Sequence, residues 1–342
     1  MTPTDGTADG AVDGTALTDA LTATLTDALA ERYGSGLTIG DLRAESGGAS
    51  RLTWSFDVRT ATGATHGLIV RVAGPGGGPG PGASPAREAA LLRAAAAAGV
   101  PTPAVLATGE FGAGELKPGA EFVVMERVAG ETIPRRVLRS PALSGVRPRL
   151  AGQCGRILAA VHRIPPCALP GLDAADPVTT WGDLLLTLGE PHPALEFALR
   201  RLSRARPPAG RPVVVHGDFR NGNLIVGPDG VRAVLDWELA HLGDPLEDLG
   251  WLCAKAWRFG APLPVGGFGG YDDLIAAYER AGGVTVDRAA LGWWELFSAF
   301  KWGVMCMLQA RRHLTGGERS VELAVLGRRV AENEWDLLRL VP

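Results

Sequence analysis

The chain has 342 residues, 46% of them hydrophobic and 21% charged, with 34 basic against 37 acidic side chains. That length and apolar content suffice for one large core or two smaller ones, and a formal net charge of −3 argues against the basic face of a dedicated nucleic-acid binder. Glycine (47) and proline (25) are abundant but follow no three-residue period, which excludes collagen and points to local Gly/Pro-rich segments.

Residues 1–15 are Thr, Asp, Gly and Ala with almost nothing to bury; they read as a disordered arm and lack the basic and apolar regions of an export signal. Leucines at 17, 21, 25 and 29 then line one face of a helix that stops at Gly34. Leu52, Trp54, Phe56 and Val58 alternate with polar residues, and 66–72 follows across an Ala-Thr-Gly turn, so two antiparallel strands are predicted. The stretch 74–83 (GPGGGPGPGA) supports neither ladder nor helix and reads as a mobile insert. Ser84 as N-cap and Pro85 at the first helical position open an Ala-rich helix running to Gly99, and a strand is predicted at 121–128. Residues 16–128 therefore read as a small strand-rich lobe.

From about Pro141 the periodicity is mainly helical, with helices predicted near 142–164, 190–204, 244–257, 271–282, 288–313 and 318–340. The longest apolar stretch, 291–308, is interrupted by Glu295 and Lys301 and reads as a buried helix, not a membrane span. Lysine is scarce: Lys117, Lys255 and Lys301 are the only ones. Cys154, Cys167, Cys253 and Cys306 form no C-x-x-C pair, which suggests neither a zinc cluster nor a disulfide framework and fits reduced thiols in a cytoplasmic protein.

The one strand-like insertion in this half carries the chemistry. Pro228-Asp229-Gly230 is a turn signal, so 224–226 and 231–235 should pair as a hairpin whose open end brings Asn223 and Asp236 side by side. An amide oxygen and a carboxylate are hard ligands suited to magnesium. Asp218 lies five residues before Asn223 in the same loop, where it can face a substrate hydroxyl while Asn223 faces the metal. That is the spacing phosphoryl transfer requires. The plain alternative is that His216, Asp218 and Asn223 only satisfy loop backbone groups. A metallohydrolase using His216, Asp218 and His241 fits poorly, because the histidines fall on opposite sides of the hairpin and no H-E-x-x-H spacing exists.

The segments HGDFRNGNLIV and VLDWELAHLGDPLEDLGWL resemble the aminoglycoside phosphotransferase family of the protein-kinase-like superfamily. The resemblance covers about 37–340 and implies an α+β, protein-kinase-like two-lobed fold, with a small antiparallel-sheet N-lobe and a larger, mainly helical C-lobe from 129 to 342. It implies a catalytic loop at 216–223 with Asp218 as base, a metal-binding hairpin at 224–236 with Asn223 and Asp236 as Mg2+ ligands, and His216 as a loop-structuring residue. Asp244 and Asp248 would orient the loop or cap the next helix, and Asp244 before Pro245 also reads as an N-cap from the residues themselves.

In the N-lobe, Gly47, Gly48 and Ser50 occupy the place of the nucleotide loop, a segment that on its residues alone is a flexible strand connection. Glu88 lies on the helix that supplies the acidic partner of a cationic phosphate anchor, although taken alone it is a solvated helix charge. The anchor departs from the family pattern, because Arg71 stands where lysine is usual. Either arginine serves as anchor or the fold has become a non-catalytic nucleotide-binding scaffold; retention of Asp218, Asn223 and Asp236 favours the anchor. The 121–128 strand should lead into a hinge where Met125 to Arg127 offer adenine backbone groups, while Met125 reads equally as core.

The implied reaction moves the γ-phosphate of ATP or GTP to the hydroxyl of a small-molecule acceptor, without nucleic-acid or membrane partners. The C-terminal third resembles the branch related to kinase domains fused to acyl-CoA dehydrogenases, which implies a hydroxyacyl-CoA thioester as acceptor. An aminoglycoside-like antibiotic, and hence a resistance role, is the other acceptor class, and the near balance of acids and bases after Trp237 does not choose between them. The tryptophans read as core, not as sugar-stacking platforms.

Overall fold

The computed structural model describes residues 14–45, 51–73, 84–112, 119–282, 285–316 and 319–340. The expected Gly/Pro insert at 74–83 and the nucleotide-loop residues Gly47, Gly48 and Ser50 lie outside these residues, as does most of the expected N-terminal arm. The chain divides into two compact units, one of residues 1–92 and 103–127, the other of 93–102 and 128–342.

In the first unit, helix α1 (Gly14–Tyr33) precedes a five-stranded antiparallel sheet of β1 (Thr38–Ala44), β2 (Arg51–Arg59), β3 (Thr65–Ala73), β4 (Val105–Glu110) and β5 (Glu121–Glu126), in the order β1-β2-β3-β5-β4. Helix α2 (Pro85–Ala97) lies between β3 and β4 in sequence and contains the boundary between the units. Helix α1 begins at Gly14, inside the segment expected to be disordered. Leu21, Leu25 and Leu29 are fully buried, as their four-residue spacing predicts. They pack in one core with Trp54, Phe56 and Val58 of β2 and with Leu68, Val70 and Val72 of β3. Period-two burial along β3 fixes its register, Val70 opposite Trp54 on one side and Val124 on the other, since a one-residue slip would turn that apolar row outward. Ser84 caps α2, its Oγ accepting the Arg87 N–H at 3.3 Å.

Two strands, β1 and β4, are not anticipated by the sequence patterns. Both are edge strands; β1 buries no residue and β4 is only half-buried, so neither carries the alternation that marks a strand packed on a core.

The second unit contains α3 (Pro134–Arg139), α4 (Leu150–Val161), α5 (Pro177–Leu188), α6 (Pro193–Arg204), the short strands β6 (Val213–Val215), β7 (Leu224–Gly227), β8 (Gly230–Val234) and β9 (His241–Gly243), then α7 (Pro245–Cys253), α8 (Tyr271–Gly282), α9 (Arg288–Leu314) and α10 (Val321–Leu340). β7 pairs with β8 as the predicted hairpin, and β6 pairs with β9. Helix α9 runs through the core with Trp293, Phe297, Phe300, Trp302 and Val304 buried, and Trp251 and Trp257 pack against it. Among the described residues no helix is long and apolar enough to cross a membrane. The two charges that interrupt the apolar run of α9 are both buried and partnered. Glu295 accepts the Tyr271 hydroxyl at 2.9 Å and lies 3.5 Å from Arg258; burial outweighs these partners and pushes its carboxyl up to about 7. Lys301 enters the site described next.

Candidate active site

The loop from His216 to Asn223 leaves β6 and enters β7, so both ends are tied to sheet hydrogen bonding. Gly217 adopts φ +78°, and a Cβ there would lie 2.4 Å from the Leu239 carbonyl oxygen, so the turn requires glycine. Asp248, fully buried in α7, receives the backbone N–H groups of His216 at 2.7 Å and Gly217 at 2.9 Å, and His162 Nε2 lies 3.2 Å from the same carboxylate. Burial alone would raise the Asp248 carboxyl, but the hydrogen bond and charge of His162 and the His216 backbone N–H outweigh it and hold the group below the usual carboxylate range. The expectation that Asp248 orients the loop thus has a geometric basis. Asp244, also expected to cap, accepts the Leu246 N–H at 2.8 Å.

His216 is enclosed. Its Nδ1 accepts the Asp218 N–H at 3.1 Å and its Nε2 donates to the Leu235 carbonyl at 3.0 Å, an arrangement that needs one protonated and one bare ring nitrogen. Burial lowers its pKa despite the carboxylates of Asp248, Asp218 and Asp236 nearby. A neutral imidazole therefore bridges the loop and the end of β8.

Asp218, 8% exposed, is surrounded by donors. Trp251 Nε1 donates to Oδ1 at 2.7 Å, Asn223 Nδ2 donates to Oδ2 at 2.6 Å, and the single Arg220 Nε–H is shared between the two oxygens at 3.1 and 3.2 Å. Asn223 Nδ2 also donates to the Asp218 carbonyl at 3.0 Å, so both amide hydrogens serve the loop and the amide oxygen is the atom left to ligate a cation. The Arg220 guanidinium stacks 4.5 Å from the centre of the Trp257 ring. At the open end of the hairpin the Leu235 N–H donates to the Asn223 carbonyl at 2.8 Å, and Asp236 follows at once with φ +67°. A non-glycine residue in that left-handed region is strained, a feature concentrated at functional sites. One amide oxygen and one half-buried carboxylate fit a small hard cation that completes its shell with phosphate oxygens and water.

In the first unit Arg71 pairs with Glu88, which is 2% exposed and not the solvated helix charge its sequence alone suggests. Arg127 pairs with Asp57 at 2.6 Å. The Glu126 and Arg127 N–H groups donate at 2.9 Å to the carbonyls of Ala104 and Gly67, so these two donors, expected for adenine, are already engaged. Met125 is buried in β5.

Sequence reasoning missed the roles of Arg220, Trp251 and His162, and of a set in contact with the loop, the buried Glu247 and Lys301 with the half-buried His241. The Glu247 and Lys301 side chains meet at 3.3 Å and Lys301 Nζ donates to the Gly217 carbonyl at 3.0 Å. The only sequence signal for the latter was a lysine, rare in this chain, inside an apolar helix.

The sequence profile of the phosphotransferase enzyme family matches residues 41–294. Acyl-CoA dehydrogenase family member 10 of Mus musculus is 30% identical over 278 residues, which is 73% of this chain but only 25% of that protein, so the chain spans about a quarter of the length of this relative. Among solved structures, an aminoglycoside-phosphotransferase-like protein of Ralstonia eutropha matches with a TM-score of 0.67 at 24% identity, covering 94% of this chain and 98% of that one. A thermostable mutant of aminoglycoside phosphotransferase APH(4)-Ia, solved with AMP-PNP and hygromycin B, matches with a TM-score of 0.62 at 16% identity, covering 93% and 97%. These likenesses establish the kinase-like α+β fold that the sequence predicts.

Proposed function

The chain belongs to the phosphotransferase enzyme family, and we propose that it moves the γ-phosphoryl group of ATP or GTP onto a hydroxyl of a small molecule. The observation that carries this reading is Asp218: a buried carboxylate on a loop held between paired strands, hydrogen-bonded by the very asparagine whose oxygen would hold the metal. Asp218 accepts the proton of the acceptor hydroxyl while that oxygen bonds to the γ-phosphorus and the bond to the β-phosphate oxygen breaks, releasing the nucleoside diphosphate. The hydroxyl takes the position of the long, bifurcated Arg220 contact, the weakest of the three bonds to the carboxylate. Trp251 and Asn223 keep Asp218 aimed throughout. Asn223 and Asp236 would hold magnesium, which when bound neutralises charge on the triphosphate. In the first unit the Arg71–Glu88 pair would serve as phosphate anchor, Glu88 fixing the guanidinium.

Likeness to part of an acyl-CoA dehydrogenase family member supports a hydroxyacyl thioester as acceptor; the hygromycin-bound neighbour, at 16% identity, supports the fold and leaves an antibiotic acceptor as the alternative. A second reading, a nucleotide-binding scaffold without turnover, is favoured only by arginine at position 71. Thermal shift with and without magnesium-ATP, then nucleotide turnover against hydroxyacyl-CoA and aminoglycoside panels, separates them. Turnover is expected to vanish in Asp218→Ala while nucleotide binding survives, and Asp236→Ala is expected to lose the magnesium-dependent part of that binding. Full activity in Asp218→Ala would remove the base, and binding without turnover in the unmodified chain would leave the scaffold.

A further inference from the structure

Lys301 stands in the middle of α9 and is 2% exposed. Its Nζ donates to the Gly217 carbonyl at 3.0 Å, lies 3.3 Å from Glu247 Oε1, and sits 4.6 Å from the centre of the Trp251 ring and 5.6 Å from that of Trp181. Glu247 is 1% exposed, and its other oxygen is 3.1 Å from His241 Nε2. Burial works against the Glu247 carboxylate, but the Lys301 charge and the His241 hydrogen bond outweigh it and hold its pKa below the ordinary value.

Stability does not account for this arrangement. Removing an ammonium and a carboxylate from water costs several kcal/mol per ion, and well-packed apolar residues in their place are often neutral or stabilising. Methionine would fill much the same volume among Trp181, Trp251 and the α9 core. What the ammonium adds is two short routes to Asp218. Gly217 immediately precedes Asp218, and the left-handed turn is held at both of its backbone groups, Lys301 gripping the Gly217 C=O and Asp248 its N–H. Trp251 provides the second route: its ring face meets the cation and its Nε1–H donates to Asp218 Oδ1 at 2.7 Å. A cation over an indole face draws electron density from the ring, and a polarised N–H is a stronger donor.

We infer that Lys301, charge-balanced by Glu247, is a positioning residue for phosphoryl transfer, acting on Asp218 through the Gly217 carbonyl and the Trp251 indole. The inference rests on the reading of Asp218 as the base. Lys301→Met, the double variant Lys301→Met/Glu247→Gln and Trp251→Phe, all in the full chain, test it. In Lys301→Met kcat falls on the order of 10- to 100-fold, a part of what a general base contributes, while the nucleotide KM changes less than about threefold. The double variant removes the stranded carboxylate charge, recovers thermal stability and keeps the low kcat. The Trp251 indole N–H resonance, assigned by its loss in Trp251→Phe, moves in Lys301→Met without any substrate present.

A double variant that regains the unmodified kcat together with its stability would show a structural role only and overturn the inference. So would an indole resonance that stays in place. If the double variant does not fold, the indole resonance in Lys301→Met decides, and Trp251→Phe, which keeps an aromatic ring but loses the N–H donor, must also lose turnover on the order of 10-fold. The indole measurement also separates the two readings, because an unmodified chain that phosphorylates no hydroxyl defeats the proposed function while the resonance still reports whether Lys301 couples to the Asp218 partner.

Discussion

Asp248→Asn changes one atom of the side chain and no volume, yet the hydrogen-bond geometry predicts a large effect. Oδ2 receives both the His216 N–H at 2.7 Å and His162 Nε2 at 3.2 Å, and Oδ1 receives the Gly217 N–H at 2.9 Å. Asparagine offers one oxygen. With that oxygen on the His216 side its NH2 meets the Gly217 N–H, donor against donor, in a site with no exposure. One charge-assisted hydrogen bond, worth about 1.5–3 kcal/mol, is lost and a buried N–H is left unsatisfied at about 1–3 kcal/mol, which sums to about 3 kcal/mol as a conservative figure. For a unit of this size that lowers Tm by about 6–12 °C. The pH dependence supplies an internal check. A carboxyl whose folded pKa is depressed contributes stability above its unfolded pKa and loses it as pH falls through the folded value. The stability gap between the unmodified chain and Asp248→Asn, read from urea midpoints, is therefore full at neutral pH and narrows under acid. A gap below about 1 kcal/mol at neutral pH, or one that widens toward acid, would refute the loop-anchoring argument.

Gly217→Ala combines a left-handed backbone with a Cβ 2.4 Å from the Leu239 carbonyl and should destabilise by about 2–4 kcal/mol. As a control in the same unit, Gly292→Ala sits in α9 with nothing within 4 Å of the added carbon and should stabilise by about 0.5–1 kcal/mol; equal urea midpoints for the two variants would defeat the comparison. Arg71→Met removes an ion-pair partner of the buried Glu88 and should destabilise by about 3 kcal/mol, with part of that loss recovered in Arg71→Met/Glu88→Gln. Calorimetry showing the double variant no more stable than the single would mean that the pair is not what Glu88 depends on.

Much of the second unit's chemistry is local in sequence and was therefore legible. The turn signal at 228–230 sets the hairpin, the hairpin sets the neighbourhood of Asn223 and Asp236, and the five-residue spacing places Asp218 in the same loop. Leucine spacing foretold the buried face of α1, and Asp-Pro foretold the start of α7. The same signal at Asp176-Pro177, where the carboxylate accepts the Thr179 N–H at 3.0 Å, marks α5 and could have located it.

Caps, turns and loop spacings are decided by atoms a few residues apart, so the sequence by itself determined the hairpin, the grouping of His216, Asp218 and Asn223 in one loop, and the family. The partners of those residues were decided only by tertiary structure, because they arrive from distant segments: Trp251 lies 33 positions from Asp218 and Lys301 lies 84 from Gly217. No pattern in one dimension distinguishes a lysine that interrupts an apolar helix by chance from one that reaches the Gly217 carbonyl. Desolvation separates the two cases, since a buried ammonium survives only where oxygen and an aromatic face are already waiting for it.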